Sequence, residues 1–183
     1  MALEPAVRSS LAQLVRDAGY ERREQPFQLT SGGWSHDYVD GKHAVATGAA
    51  LHQASRAVIQ AIDGSFDAVG GPTMGADALA HGVALLSGSG WFSVRKEPKG
   101  HGRGAWVEGT RLKIGDRVVV VEDVVSTGGS LLRAVDRIRD LGAEVVAATA
   151  LLDRSPTVAS RFAAAGIAWV PLLTWSDLGI EPL

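Results

Sequence analysis

Short apolar segments alternate with amphipathic stretches along most of this 183-residue chain. Apolar residues spaced three and four positions apart predict helices. These helices cover residues 5–18, 44–62, 78–86, 131–141 and 156–165. Segments rich in valine, leucine and aromatic residues predict strands at residues 27–29, 38–39, 66–69, 91–94, 118–121, 145–152 and 169–172. Strands that alternate with helices predict an α/β fold in which helices flank a central, mainly parallel sheet.

The strand at residues 118–121 leads into the most informative segment of the chain. Residues 118–130 read VVVVEDVVSTGGS, so that four valines precede Glu122, Asp123 and a turn of small residues. A continuous β-branched run is typical of a strand buried on both faces, and ligands of such sheets bind beyond the carboxyl ends of the strands. The turn suits a phosphate, and the paired acids suit sugar hydroxyls, a metal or a developing positive charge. The segment indicates a site for a phosphorylated sugar; an ordinary glycine-rich turn is the alternative.

A second segment, residues 95–104, concentrates positive charge. It reads RKEPKGHGRG, with Arg95, Lys96, Lys99 and His101 between flexible glycines. A long cationic loop that follows a strand end predicts an active-site lid, and its charges suit a multiply anionic group such as pyrophosphate. A solvated loop that carries charge for solubility is the alternative.

Composition narrows the classes of function. The net charge of −2 gives no basic field, so we expect no nucleic-acid partner. No run approaches the roughly 18 apolar residues of a membrane span, and residues 1–10 lack the pattern of a signal peptide, so we expect no membrane association. Cysteine is absent, which excludes thiolate chemistry and weakly favours the cytoplasm. The length predicts one domain over residues 1–183.

Taken together, these motifs resemble the orotate phosphoribosyltransferases, a family with the type I phosphoribosyltransferase fold. VVVVEDVVSTGGS is similar to the motif for phosphoribosyl pyrophosphate (PRPP), and VRKEPKGHG has the spacing of the family's catalytic loop. FQLTSGGWSHDYVD resembles the N-terminal segment near the base, VGGPTMGADALA the loop that approaches the pyrophosphate, and LLDR the strand end whose arginine meets orotate. The resemblance implies a type I fold with a small hood from the N-terminal segment. It also implies transfer of ribose 5-phosphate from PRPP to orotate, in UMP biosynthesis.

The resemblance implies roles for individual residues. The implied PRPP-binding residues are Arg95, Lys96, Lys99, His101, Glu122, Asp123, Val124, Val125, Ser126, Thr127, Gly128, Gly129 and Ser130. Of these, Lys99, His101 and Asp123 are expected to be catalytic. Lys99 would assist the leaving pyrophosphate, and His101 would orient it or donate a proton. Ser126 and Arg154 are expected to contact orotate.

The resemblance also implies a cofactor and a partner. We expect Mg²⁺ to be held mainly by PRPP, with Glu122 and Asp123 as the only protein groups that would add to it. The family works as a homodimer with shared sites, so Lys96 is expected to act in the partner subunit's site. Two positions depart from the family: Thr30 stands where lysine is common, and Ser126 where threonine is common.

Two alternative functions stay open at this point. One is transfer to another base, such as a purine. The cation of Arg154 argues against a purine, because it suits a carboxylated pyrimidine. The other is a PRPP-binding regulator that acts on nucleic acid, against which the missing basic face argues.

Overall fold

The computed structural model describes residues 3–29, 32–98 and 106–183. The helices of these residues are α1 (Pro5–Gly19), α2 (Gly41–Ala44), α3 (Gly48–Ala61), α4 (Asp77–Ser87), α5 (Gly129–Arg139), α6 (Val158–Ala164) and α7 (Trp175–Leu178). The strands are β1 (Tyr20–Gln28), β2 (Trp34–Val39), β3 (Ala68–Pro72), β4 (Gly90–Val94), β5 (Val107–Gly109), β6 (Arg117–Val125), β7 (Glu144–Asp153) and β8 (Leu173–Thr174). None of the described helices has the length and apolar character needed to cross a membrane.

A six-stranded sheet organises the molecule, in the order β5-β4-β3-β6-β7-β8. All neighbouring strands are parallel except β5, which pairs with β4 in the antiparallel direction. The predicted α/β fold with a mainly parallel sheet is thus confirmed. Because β3, β4, β6 and β7 run in the same direction, the residues that follow them meet at one edge of the sheet.

The four valines of β6 show why the strand is apolar throughout. Val118 and Val120 pack with α5 and α6 on one face of the sheet. Val119 and Val121 pack with α1, α3 and α4 on the other face. All four are fully buried, because successive side chains of a strand point to opposite faces and both faces carry helices.

The N-terminal segment forms a separate antiparallel hairpin of β1 and β2, which supplies the hood that the resemblance implied. The sequence predicted strands only at residues 27–29 and 38–39, and both are longer. Strand β1 reads YERREQPFQ and none of its residues is fully buried. A strand without a buried face lacks the alternation of apolar and polar residues that reveals strands in a sequence.

Two further predictions need correction. The single helix at residues 44–62 is divided, because Thr47 caps α3 by accepting a hydrogen bond from the Ala50 N–H at 3.2 Å. The strand predicted at residues 169–172 is reduced to one isolated bridge between Trp169 and Ala148. The regular pairing with β7 comes later, at β8.

Candidate active site

Strand β6, at the centre of the sheet, carries the two acidic residues near its carboxyl end. Glu122 and Asp123 lie within the strand, which continues to Val125 before the turn begins. The Asp123 N–H donates to Glu122 Oε1 at 3.3 Å, and the Val124 N–H donates to Asp123 Oδ1 at 2.7 Å. Both carboxylates are therefore held at the edge of the sheet where ligands of such folds bind.

The two carboxylates lie in different environments. Glu122 is 8% exposed, and burial, together with the neighbouring charge of Asp123, raises its pKa to about 9. Asp123 is more open, with Lys42 Nζ 3.5 Å from its Oδ2. The raised pKa favours the protonated form of Glu122 at neutral pH in the unliganded protein.

The turn after β6 forms a cradle at the start of α5. Gly128 has φ +71°, in the left-handed region that favours glycine, and α5 begins at the next residue. The hydroxyl oxygen of Ser130 accepts a hydrogen bond from Arg133 Nη2 at 3.1 Å. A cavity of about 430 Å³ is lined by the whole predicted phosphate loop together with Lys96, Glu122, Val124, Val125, Leu131 and Arg133. Backbone N–H groups at a helix start beside two cations suit a phosphate.

A larger cavity of about 910 Å³ lies next to this cradle and shares Lys96, Glu122, Val124 and Ser130 with it. Its lining comes from the ends of β3, β4 and β6 and from α2 and α5: Lys42, Pro72, Thr73, Met74, Gly75, Arg95, Lys96, Glu97, Glu122, Asp123, Val124 and Ser130. The structure thus brings the predicted cations Arg95 and Lys96 to the same space as the acid pair. Arg95 Nε also donates to the Glu97 carbonyl at 3.2 Å. Lys99 and His101 lie outside the described residues.

The segment between β3 and α4 closes this cavity from one side. Its Gly75 lies against the acid pair, since a Cβ at this position would lie 2.5 Å from Asp123 Oδ1. Asp77 fixes the segment by accepting hydrogen bonds from the hydroxyls of Thr73 and Ser93, both at 2.7 Å. These bonds tie the segment to β4, whose end carries Arg95.

The two residues predicted to contact orotate lie in different surroundings. Ser126 lines the smaller cavity. Arg154 is 2% exposed, and its guanidinium donates to the carbonyls of Asp37 at 2.7 Å and Glu181 at 3.3 Å. Burial lowers the pKa of Arg154, and its Nε has no hydrogen-bond partner in the described part of the chain. Arg154 lines neither of the two cavities above as the described residues define them, so its contact with orotate stays a prediction.

The sequence analysis missed Lys42. Its Nζ lies 3.2 Å from Asp40 Oδ1 and 3.5 Å from Asp123 Oδ2, inside the larger cavity. Burial lowers the pKa of Lys42, but the charges of Asp123 and Asp40 outweigh this, and the net shift is upward. No local pattern marks this residue, because only the packing of α2 against β6 brings it to the site.

Comparison with known proteins places this site in a family. The sequence profile of the phosphoribosyl transferase domain matches residues 43–164. The orotate phosphoribosyltransferase of Methanothermobacter thermautotrophicus is 40% identical over 171 residues, which are 93% of each chain. That of Aquifex aeolicus is 36% identical over 93% of this chain and 97% of its own. The chain belongs to the orotate phosphoribosyltransferase family.

Solved structures of the orotate phosphoribosyltransferase family agree with the fold. A crystal structure of the Mycobacterium tuberculosis enzyme matches with a TM-score of 0.82 at 34% identity, over 95% of this chain and 99% of that one. The same enzyme in complex with PRPP matches with a TM-score of 0.79 at 33% identity and the same coverage.

The acid pair offers few protein ligands to a metal ion. Among the described residues, no group of three or more His, Cys, Asp and Glu side chains is arranged to hold one. Mg²⁺ is commonly bound through one or two carboxylates together with substrate phosphates. Two neighbouring carboxylates beside a phosphate cradle therefore fit a Mg²⁺ ion that arrives with a phosphorylated substrate.

Proposed function

We propose that this protein transfers the 5-phosphoribosyl group from PRPP to orotate, releases pyrophosphate, and thereby serves UMP biosynthesis. One observation carries the proposal: the acid pair, the phosphate cradle and the cations Arg95 and Lys96 share two adjoining cavities. Membership of the orotate phosphoribosyltransferase family supports orotate as the acceptor.

The proposed binding mode divides PRPP among three parts of the site. Its 5′-phosphate binds the backbone and hydroxyls of the loop at residues 126–130. Its ribose hydroxyls bind Asp123 and Glu122, and protonated Glu122 can donate as well as accept. Its pyrophosphate lies in the larger cavity, where Arg95 offsets part of its charge.

The chemistry needs charge stabilisation more than a strong base. Departure of pyrophosphate from C1 leaves a sugar that resembles an oxocarbenium ion, and the carboxylate of Asp123 stabilises positive charge close to the ribose. Pyrophosphate gains negative charge at the same moment, which cations of the 95–101 segment neutralise. Lys99 assists the leaving group in this proposal, and His101 orients it or donates a proton. Exclusion of water by that segment prevents hydrolysis of PRPP.

Mg²⁺ is part of the proposal as the cofactor. PRPP would supply most of its ligands, and Glu122 and Asp123 would add further ones, Glu122 only after loss of its proton. When bound, the ion would add positive charge beside the pyrophosphate.

We propose that Ser126 and Arg154 select orotate. Family membership supports this, and so does the position of Arg154, a cation at the end of β7 that bonds to the Asp37 carbonyl of the hood. A carboxylated pyrimidine would offer this cation a carboxylate, whereas a purine has none.

A homodimer is also proposed, in which Lys96 leaves the cavity of its own chain, which it lines here, and acts in the partner's site. Exposed apolar side chains on α4, on β4 and on the segment before α4 support an interface, namely Met74, Leu85, Leu86 and Trp91. A mixture of Lys96→Ala and Asp123→Asn proteins tests shared sites after subunit exchange. If Lys96 acts in trans, mixed dimers have one intact site, and an equal mixture recovers about a quarter of wild-type activity. No recovery, with exchange verified by mass spectrometry, would contradict the trans role.

We also propose a cytoplasmic location, because a cysteine-free chain has no need of an oxidising compartment.

Orotate consumption, followed by ultraviolet absorbance with PRPP and Mg²⁺, tests the proposed function. The panel includes other pyrimidines and purines, with reactions that lack PRPP or contain a chelator. Turnover of orotate that requires both PRPP and Mg²⁺ is expected. Activity on a different base would overturn orotate as the acceptor, and PRPP binding without turnover of any base would favour a regulator.

A further inference from the structure

The larger cavity contains a cation that no predicted motif includes. Lys42 reaches it from α2, on the side of the acid pair, whereas Arg95 and Lys96 reach it from the end of β4. The three cations therefore come from two separate parts of the fold. A multiply anionic ligand in the cavity would meet positive charge from both.

The approach of α2 to the acid pair depends on the residue before Lys42. A Cβ on Gly41 would lie 2.8 Å from Asp123 Cβ and 3.0 Å from Val124 Cγ2, which is closer than ordinary packing allows. Asp40 caps the same turn by accepting a hydrogen bond from the His43 N–H at 3.0 Å. Gly41 and Asp40 thus fix the backbone from which the Lys42 side chain extends to Asp123.

The contacts of Lys42 are of a kind that a ligand can replace. Its side chain is 51% exposed, and it bridges Asp40 at 3.2 Å and Asp123 at 3.5 Å. Ion pairs of half-exposed side chains are weak and exchange readily. A long, flexible side chain can move its ammonium group by several bond lengths while its backbone stays fixed.

We propose that Lys42 is a further substrate-binding residue, which pairs with Asp123 in the unliganded protein and turns to the pyrophosphate group of PRPP when the ribose occupies Asp123. This inference rests on the proposed function. It gives the acid pair a counter-ion before substrate arrives.

Isothermal titration calorimetry of PRPP, with and without Mg²⁺, tests this role without requiring turnover. Lys42→Met keeps the length of the side chain and removes its charge, and Lys42→Arg keeps the charge. Lys113→Met, at an exposed lysine outside the lining of both cavities, is the matched control. We expect Lys42→Met to weaken PRPP binding about 10- to 100-fold, with most of the affinity regained in Lys42→Arg and none lost in Lys113→Met.

A second readout separates binding from a purely structural ion pair. In steady-state kinetics, Lys42→Met is expected to raise the KM for PRPP more than the KM for orotate. Its melting temperature is expected to stay close to that of the wild type. Unchanged PRPP affinity in Lys42→Met would overturn the inference, as would a lower melting temperature with wild-type PRPP affinity. If the wild-type protein itself binds no PRPP, the proposed function fails, and the two failures are therefore distinguishable.

Discussion

Replacement of Gly75 by alanine tests whether the position of the acid pair controls the use of PRPP. The added Cβ would lie 2.5 Å from Asp123 Oδ1 and closer still to Glu122 Oε1. An ordinary contact needs about 3.4 Å, so each carboxylate must move by about 1 Å. These atoms are the ends of flexible side chains, and the backbone can stay in place. Misplacement of a reacting or binding group by about 1 Å can cost on the order of 100-fold in rate.

We therefore expect a functional defect with little loss of stability. Gly75→Ala should lower kcat/KM for PRPP by about 10- to 100-fold, or roughly 1.4–2.7 kcal/mol of transition-state stabilisation. Its free energy of unfolding should change by less than about 1 kcal/mol, because the smaller entropy of the unfolded alanine chain partly offsets the crowding. For a chain of this length that is a melting shift of less than about 4 °C.

Gly71→Ala is the matched control, since it places a Cβ against the backbone. That Cβ would lie 2.7 Å from Ala76 Cβ and closer still to the carbonyl oxygen of Val121, in the central strand β6. The Val121 carbonyl cannot move without distorting the sheet, nor Ala76 without shifting the start of α4, so we expect a loss of about 1–3 kcal/mol or more in stability.

Thermal unfolding and PRPP kinetics, measured on both variants, distinguish an effect on the carboxylates from an effect on the fold. The expected pattern is a stable, impaired Gly75→Ala and an unstable Gly71→Ala. If Gly75→Ala keeps kcat/KM within about twofold of the wild type, the argument from carboxylate position is refuted. If it unfolds as readily as Gly71→Ala, the clash acts on the fold and the carboxylates are not its target.

Three further substitutions test separate parts of the structure. The pKa of Glu122 is raised to about 9, so the folded state keeps a proton that the unfolded state loses. The free energy of unfolding should therefore fall as pH rises from about 5 to about 9. Melting curves without PRPP or Mg²⁺ should show a flatter pH dependence for Glu122→Gln, and an identical slope would count against the shift. Asp123→Asn should weaken PRPP binding about tenfold or more with an unchanged melting temperature, and unaltered affinity would remove Asp123 from the site. Asp177 is partly buried, which raises its pKa, but its hydrogen bonds to Arg8, whose Nη2 donates at 2.6 Å, and to Thr174 outweigh burial, and the net shift is downward. The cost of Asp177→Asn, about 1–2 kcal/mol of unfolding free energy at pH 7, should therefore diminish as pH falls below about 4; a cost independent of pH would contradict this.

The sequence was sufficient to predict where the acid pair and the turn of small residues lie, because both follow from local patterns. Four consecutive valines predict a strand buried on both faces, whichever strands lie beside it. The turn must then lie at the carboxyl end of that strand. Arg95 and Lys96 were predicted on the same basis, since they follow another strand of the same sheet. The family resemblance added the identity of the ligands.

Features that depend on packing between distant segments were not predictable in this way. Lys42 lies beside Asp123 only because Gly41 lets α2 approach β6. The polar strand β1 gives no periodic signal, since it pairs with β2 and has no fully buried face. Asp77 looks like an ordinary first-turn acid in the sequence, and its hydrogen bonds to Thr73 and Ser93 need the fold.

The acid pair shows most clearly what the fold adds to a motif. In the sequence, Glu122 and Asp123 are two equivalent carboxylates. In the folded protein, burial and the charge of its neighbour raise the pKa of Glu122 to about 9, whereas Lys42 lies beside Asp123. Environments that separate two neighbouring acids give them different roles. A neutral Glu122 can donate a hydrogen bond to a ribose hydroxyl, which a charged carboxylate cannot do, whereas the more open Asp123 beside Lys42 is placed to stabilise positive charge on the sugar.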